Sequence, residues 1–260
     1  MGCSGWSYTS WDGHFYPIGI QPRQYIEYYS KVFDYAEIDS SFYKIPDRFR
    51  AIRWAKLTPD SFRFTAKFPG LITHDKSLAV TDDDMYPFFE NMLPLKEKLL
   101  CLLIQLPPSM DAEEGLEKLQ TMIIPRLSPN YRYAIEVRHK SWFEKDVYKY
   151  LSSHKICLAW SQQDAIQTPP EITTDFIYLR LIGDRSIADK DFGKVQKDRT
   201  KEMAKWAARI KAISDKVKFG IVVANNHYTG FGPATANSMR KLLGMNEVVW
   251  EEMKQARLGS

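Results

Sequence analysis

Short apolar runs rich in β-branched and aromatic residues alternate along the chain with longer stretches whose apolar positions recur every three or four residues. The runs predict strands over 2–6, 35–39, 62–68, 99–106, 133–138, 156–161, 176–181 and 219–225. Helical periodicity and start or stop signals predict helices near 22–33, 48–57, 86–98, 112–122, 144–154, 200–214 and 234–243. One helix is missing from the alternation, because 162–174 follows the sixth strand with Pro169-Pro170 and reads as loop. Eight strands separated by helices predict a (β/α)8 TIM barrel, with a doubly wound open sheet as the competing layout. No repeat, low-complexity tract or linker divides the chain, so 1–260 reads as one domain.

In such a barrel the working groups come from the carboxyl ends of the strands. Those ends carry Glu37 and Asp39, Lys67, Gln105, Glu136-Val137-Arg138-His139, Arg180 and Asn225-Asn226-His227. Alternation adds a second test, because strand side chains point to opposite faces in turn. Tyr133, Ile135 and Val137 form the outward set of the fifth strand and leave Ala134, Glu136 and Arg138 inward. Likewise Arg63, Thr65 and Lys67, and Tyr178 and Arg180, fall on the inward face of their strands. Ionisable groups inside a barrel are costly unless they pair or work, so a buried ion-pair network is the structural alternative to a site.

Composition sharpens this picture. With 260 residues, 44% hydrophobic and 26% charged, the chain is long enough for a large core and has the balance of a globular protein. Aromatics reach 13%, and many flank strand ends: Trp6, Tyr8 and Trp11, Phe42 and Tyr43, Trp142 and Phe143, Tyr228 and Phe231. Rings beside Arg and Lys suit stacking on a base or sugar, although anchoring of loops on the barrel is the commoner use of any single ring. The net charge of +4 favours anionic ligands mildly. Cys3, Cys101 and Cys157 lie far apart in apolar surroundings and read as buried thiols of a cytoplasmic protein. The longest apolar run, 99–104, is about a third of the roughly 18 residues a membrane helix needs, so no membrane partner is expected.

Taken together, Gly2-Cys3-Ser4-Gly5-Trp6-Ser7-Tyr8 with Trp11, Phe15-Tyr16-Pro17, Glu37-Ile38-Asp39-Ser40-Ser41-Phe42-Tyr43, Phe62-Arg63-Phe64 with Lys67, Gln105-Leu106-Pro107-Pro108, Glu136-Val137-Arg138-His139-Lys140-Ser141-Trp142, Arg180 with Gly183, and Asn225-Asn226-His227 resemble the YecE-like family, domain of unknown function 72. The motifs follow in order over nearly the whole chain. The resemblance implies a TIM barrel and no established reaction. Two departures stand out: the chain starts almost at the first motif, and Arg180-Leu181-Ile182-Gly183 replaces the family's usual Arg-x-His-Gly.

These residues point to acid/base chemistry at the rim, with Glu37, Glu136, His139 and His227 as candidate proton carriers. Trp6, Tyr8, Tyr43, Lys67, Gln105, Arg138, Trp142, Arg180, Asn225 and Asn226 are the candidate ligand-binding set. Neighbouring cations would hold both glutamates ionised, which weakens a glycosidase reading. Among Glu37, Asp39, His74, Glu136, His139, Asp164 and His227 there is no His-x-x-x-His pair, so no metal residues are assigned and only a single divalent ion on carboxylates stays open. Gly230-Phe231-Gly232 lacks a third glycine at Thr235, and no nucleotide-cofactor motif is present, although 230–236 lies where barrels cradle phosphate. The expectation is an enzyme, a hydrolase or lyase, acting on a small phosphate-bearing or carbohydrate-like ligand. Its rivals are a nucleic-acid-binding, endonuclease-like barrel and a non-catalytic ligand binder.

Overall fold

A computed structural model describes residues 1–250 as one parallel sheet wrapped by helices. The strands are β1 Gly2–Ser4, β2 Tyr35–Ile38, β3 Arg63–Lys67, β4 Leu99–Gln105, β5 Tyr133–Glu136, β6 Ile156–Leu158, β7 Trp160–Gln163, β8 Phe176–Gly183 and β9 Phe219–Ala224. Their order is β6-β5-β4-β3-β2-β1-β9-β8-β7, every pairing parallel. The two ends of that order are consecutive in sequence. β6 pairs with β5 and β7 with β8, and between them Ala159 donates its N–H to the Ile135 carbonyl at 2.8 Å. The sixth expected strand is therefore split at Ala159, its first half serving one neighbour and its second half the other. The result is an α/β barrel of the TIM type.

Around it lie α1 Tyr25–Val32, α2 Arg48–Leu57, α3 Asp82–Met92, α4 Ala112–Lys118, α5 Lys145–Ser153, α6 Thr200–Lys211, α7 Asn226–Thr229 and α8 Gly232–Leu243. Among the described residues no helix follows the sixth strand. Instead Gln162 bridges back to Gln167, and the prolines hold the rest in loop. α3 starts four residues earlier than expected because the Asp84 carboxylate accepts the Thr81 N–H at 2.9 Å, and Asp82, Asp83 and Asp84 suit the positive end of the helix. It stops at Met92, and a 3-10 turn with Pro94 carries the chain to β4.

Alternation sorts the core into two layers. Phe64 and Ala66 of β3 and Phe62 just before it, with Tyr133 and Ile135 of β5, face the helices, as do Ile177, Leu179 and Leu181 of β8 against Met203 and Trp206 of α6. The lower barrel interior is filled by Tyr35, Cys101, Leu103, Ala134, Cys157, Phe176, Tyr178, Ile221 and Val223. All three cysteines are buried, and burial pushes the Cys3 and Cys157 thiols up to about 12. Such groups pack as small hydrophobes. Among the described residues no helix is long and apolar enough to cross a membrane.

The loop from β8 to α6 is pinned over the barrel. Gly183, at φ +79, lets the chain turn where a Cβ would stand 2.4 Å from the His227 carbonyl oxygen. Further on, Phe192 is buried and the N–H groups of Gly193, Gln196 and Lys197 bond to Gly230 and Thr229 carbonyls. This closes much of the 230–236 turn, where the Gly232 N–H is taken by Asn226 Oδ1 at 2.8 Å.

Candidate functional site

Above the apolar floor the inward positions turn polar. Arg180 on β8 donates from Nε (3.0 Å) and Nη2 (2.6 Å) to the two oxygens of Glu37 on β2, and from Nη1 to Glu136 on β5. Glu37 also accepts the Ser4 hydroxyl at 2.8 Å and the Tyr178 hydroxyl at 2.5 Å. Glu136 accepts Arg138 Nε at 3.0 Å and Gln163 Nε2 at 3.3 Å. Burial opposes the charge on Glu136, but the Arg180 and Arg138 guanidiniums outweigh it and bring the carboxyl to about 2. Arg180 is likewise held charged: its burial is overcome by Glu136 and Glu37. Below, Tyr35, Thr65 and Tyr178 share hydroxyl contacts at 2.6 to 3.3 Å. Burial and the Glu37 charge push the Tyr178 hydroxyl well above its usual range.

Nearer the opening, Lys67 is almost fully buried yet lightly partnered. Its Nζ lies 3.5 Å from Asp39 Oδ1 and 3.9 Å above the centre of the Phe42 ring. Burial pulls its amine down, with Asp39 offsetting part of the effect. The same effect reaches His74, lowered by burial and by the charges of Lys67 and Arg138. Gln105, beside Glu136 in register, is 3% exposed, and its side chain bonds to none of the described residues.

Two clefts open on either side of this cluster. One, of about 310 Å³, is lined by Pro108, Arg138, His139, Lys140 and Gln163. There the Ser141 N–H donates to His139 Nδ1 at 3.4 Å, which makes Nδ1 an acceptor and sets the Ser141 hydroxyl, 2.8 Å from the same nitrogen, as a second donor to it. The neutral imidazole therefore carries its hydrogen on Nε2. The other cleft, of about 560 Å³, runs between the loop after β1 and α1 and α2, and its walls include Trp6, Tyr8, Asp39 and Tyr43.

The expected set thus separates. Glu37, Glu136, Arg138, Arg180, Lys67 and Gln105 converge on the barrel axis, while Trp6, Tyr8 and Tyr43 line the larger cleft. Trp142 points away from both, fully buried, with its indole N–H on the Met110 carbonyl at 3.0 Å. Asn225 caps α7 by accepting the His227 N–H, and Asn226 Oδ1 accepts the Trp11 indole N–H at 3.1 Å. These contacts anchor loops. His227 stands edge-on to Phe192, and burial lowers its imidazole. Arg63 lies at the opposite end of β3, on the Asp60 and Phe62 carbonyls. Among the described residues no three His, Cys, Asp or Glu side chains stand together as a metal site; Asp164, for one, pairs with Arg199 at 3.0 Å. Ser4, Gln163 and Tyr35 were absent from the expected set, though inward parity at strand positions marks each of them.

The fold and this polar axis define an α/β barrel protein with an ion-paired interior at the carboxyl ends of its strands. The chain belongs to the family described as "Protein of unknown function DUF72", whose model matches residues 1–257. UPF0759 protein YecE of Escherichia coli (strain K12) is 31% identical over 147 residues, 56% of this chain and 50% of that protein. UPF0759 protein YunF of Bacillus subtilis (strain 168) is 28% identical over 161 residues, 58% and 56% of the two chains. In these alignments the chain spans about half the length of the curated relatives it matches. A DUF72 family protein of Thermotoga maritima MSB8 superposes with a TM-score of 0.80 at 28% identity, over 94% of this chain and 98% of that one. A second, from Enterococcus faecalis V583, gives 0.77 at 23% identity over 94% and 95%, which speaks to the fold alone.

Proposed function

We propose that this protein is an enzyme that takes a small phosphate-bearing molecule in the cleft beside β5 and works on it by acid/base chemistry at His139. One observation carries the reading: every ionisable side chain lining that cleft, Arg138, His139 and Lys140, is a base, and the carboxylate beneath them is already neutralised by Arg180. Arg138 spends Nε and Nη2 on Glu136 and keeps Nη1 for a ligand. A planar guanidinium fixed from behind by a carboxylate is preorganised for a phosphate oxygen. His139 is oriented by Ser141, so that its Nε2 is the nitrogen left to exchange a proton with a bound ester. Phosphate is favoured over a glycosidic bond because glycoside cleavage needs a protonated carboxyl. Glu136 stays ionised down to about 2, and both oxygens of Glu37 are already taken up by donors from Ser4, Tyr178 and Arg180.

Calorimetric titration with ribose 5-phosphate and glucose 6-phosphate, against ribose and glucose, tests this. Saturable binding of the phosphates, weakened tenfold or more in Arg138→Ala, is expected. His139→Gln should keep binding and abolish release of inorganic phosphate. Equal binding of the free sugars, no effect of Arg138→Ala, or a preference for nucleic acid with a steep salt dependence would overturn the reading.

A further inference from the structure

The larger cleft carries a separate inference. Its outer wall holds Arg50 and Arg53, three residues apart on one face of α2, and Arg23 on the turn before α1. Arg53 Nη2 donates to the Arg23 carbonyl at 3.0 Å, which ties the two segments together. Arg50 Nε lies 4.0 Å from Asp47, whose carboxylate also accepts the Arg50 N–H as the cap of α2. Three guanidiniums lining one cleft favour an anion there.

The inner wall has a different character. The Trp6 and Trp54 rings meet edge to face at 5.3 Å and are 7% and 8% exposed, which makes an apolar floor with Ile26 and Ile38. Tyr43 stands at the rim 77% exposed, its ring edge to face with Phe42 at 5.2 Å. The lining also holds Asp39 and Ser40, which present a carboxylate and an exposed hydroxyl, and Asp39 meets Lys67 through one oxygen. A volume of about 560 Å³ is several times what a bare phosphate fills.

Guanidiniums, a carboxylate with a hydroxyl, and flat rings in the lining of one cleft match three parts of one molecule. We infer that this cleft binds a free nucleoside monophosphate, with Arg23, Arg50 and Arg53 on the phosphate, Asp39 and Ser40 on the ribose hydroxyls and the base against Trp6 and Tyr43. Stacked rings hold a base and an acidic side chain reads ribose hydroxyls in many nucleotide sites, and both are available here without a glycine-rich loop. This inference does not rest on the phosphate-ester reading of the neighbouring cleft.

Tryptophan fluorescence gives the test, because Trp6 and Trp54 form the floor. Titration of the full chain with AMP should give a saturable change with a Kd below about 1 mM. Adenosine and inorganic phosphate alone should each bind at least tenfold more weakly. Arg50→Ala/Arg53→Ala, at exposed positions, should keep the melting temperature and lose tenfold or more in AMP affinity. Tyr43→Ala should lose affinity for AMP and not for phosphate. The AMP curve should be unchanged in Arg138→Ala, which separates this site from the cleft at Arg138. No saturable response, an unchanged double variant, adenosine binding as well as AMP, or a single-stranded hexanucleotide bound far more tightly than AMP would each refute a mononucleotide site.

Discussion

Arg180 and Glu37 meet fork to fork inside the barrel, Nε on one carboxylate oxygen at 3.0 Å and Nη2 on the other at 2.6 Å, with 2% and 0% of the two side chains exposed. The same guanidinium reaches Glu136, so one cation neutralises two buried carboxylates. Removing it leaves Glu37 without a cation and Glu136 with Arg138 alone, and breaking a buried pair in this way costs about 3–5 kcal/mol. Arg180→Met should lower the unfolding free energy by that amount in urea melts. Arg180→Lys should rescue little, because a single ammonium cannot occupy three donor positions at once. A loss under about 1 kcal/mol in Arg180→Met would mean the pairs contribute nothing net to stability.

The pH dependence follows from Glu136. Its carboxyl titrates at about 2 in the fold against 4.5 unpaired, so the folded state binds that proton less readily than the unfolded chain. Stability from this group is complete above about 4.5 and is lost as pH falls toward about 2. The size is on the order of 3 kcal/mol. Glu136→Gln, already weakened at neutral pH, should therefore show a shallower decline between pH 5 and pH 3 than the parent chain. Parallel declines of the two urea midpoints would assign the acid sensitivity elsewhere.

Period-two alternation made the polar axis readable before any coordinates. Lys67, Glu136, Tyr178 and Arg180 each sit an even number of positions from other inward residues, and a parallel barrel leaves such groups nowhere else to go. The split at Ala159 left no mark, because 156–161 is apolar whether one neighbour pairs with it or two in turn. Aromatics were harder to place for a related reason. Trp142 and Trp6 both follow strand ends, and only packing separates a ring wedged behind α4 from one that floors a cleft. Nothing in the sequence singles out Arg23, Arg50 and Arg53, since their place on one cleft depends on how α1 and α2 meet.

Gly115 on α4 offers a case where helix propensity and packing give opposite signs. A Cβ there would lie 2.3 Å from Cζ2 of Trp142 and 2.8 Å from its Cη2, and that ring is fully buried. Propensity alone favours alanine over glycine inside a helix by about 1 kcal/mol. The indole cannot yield without disturbing its bond to Met110, and overpacking of this kind costs about 1–3 kcal/mol. Gly115→Ala should accordingly melt at a lower temperature than the parent. A rise in melting temperature would show that the Trp142 ring has room to move.

Lys67 should respond in the opposite sense from Arg180. Its amine is nearly as buried, but it has one long contact to Asp39 in place of a fork, and burial lowers its affinity for a proton in the fold. A base whose folded pKa lies below its unfolded value, near 10.5, opposes folding while it is held protonated. That penalty is relieved as pH rises through the folded value toward 10.5. Lys67→Met removes the penalty and leaves Asp39, which is 26% exposed, in contact with water. The variant should thus equal or exceed the parent in stability at pH 7, by up to about 1 kcal/mol, and lose that advantage by pH 10. If Lys67→Met instead loses more than about 2 kcal/mol at pH 7, the amine belongs to the stabilising network with Arg180 and not to a ligand-facing mouth.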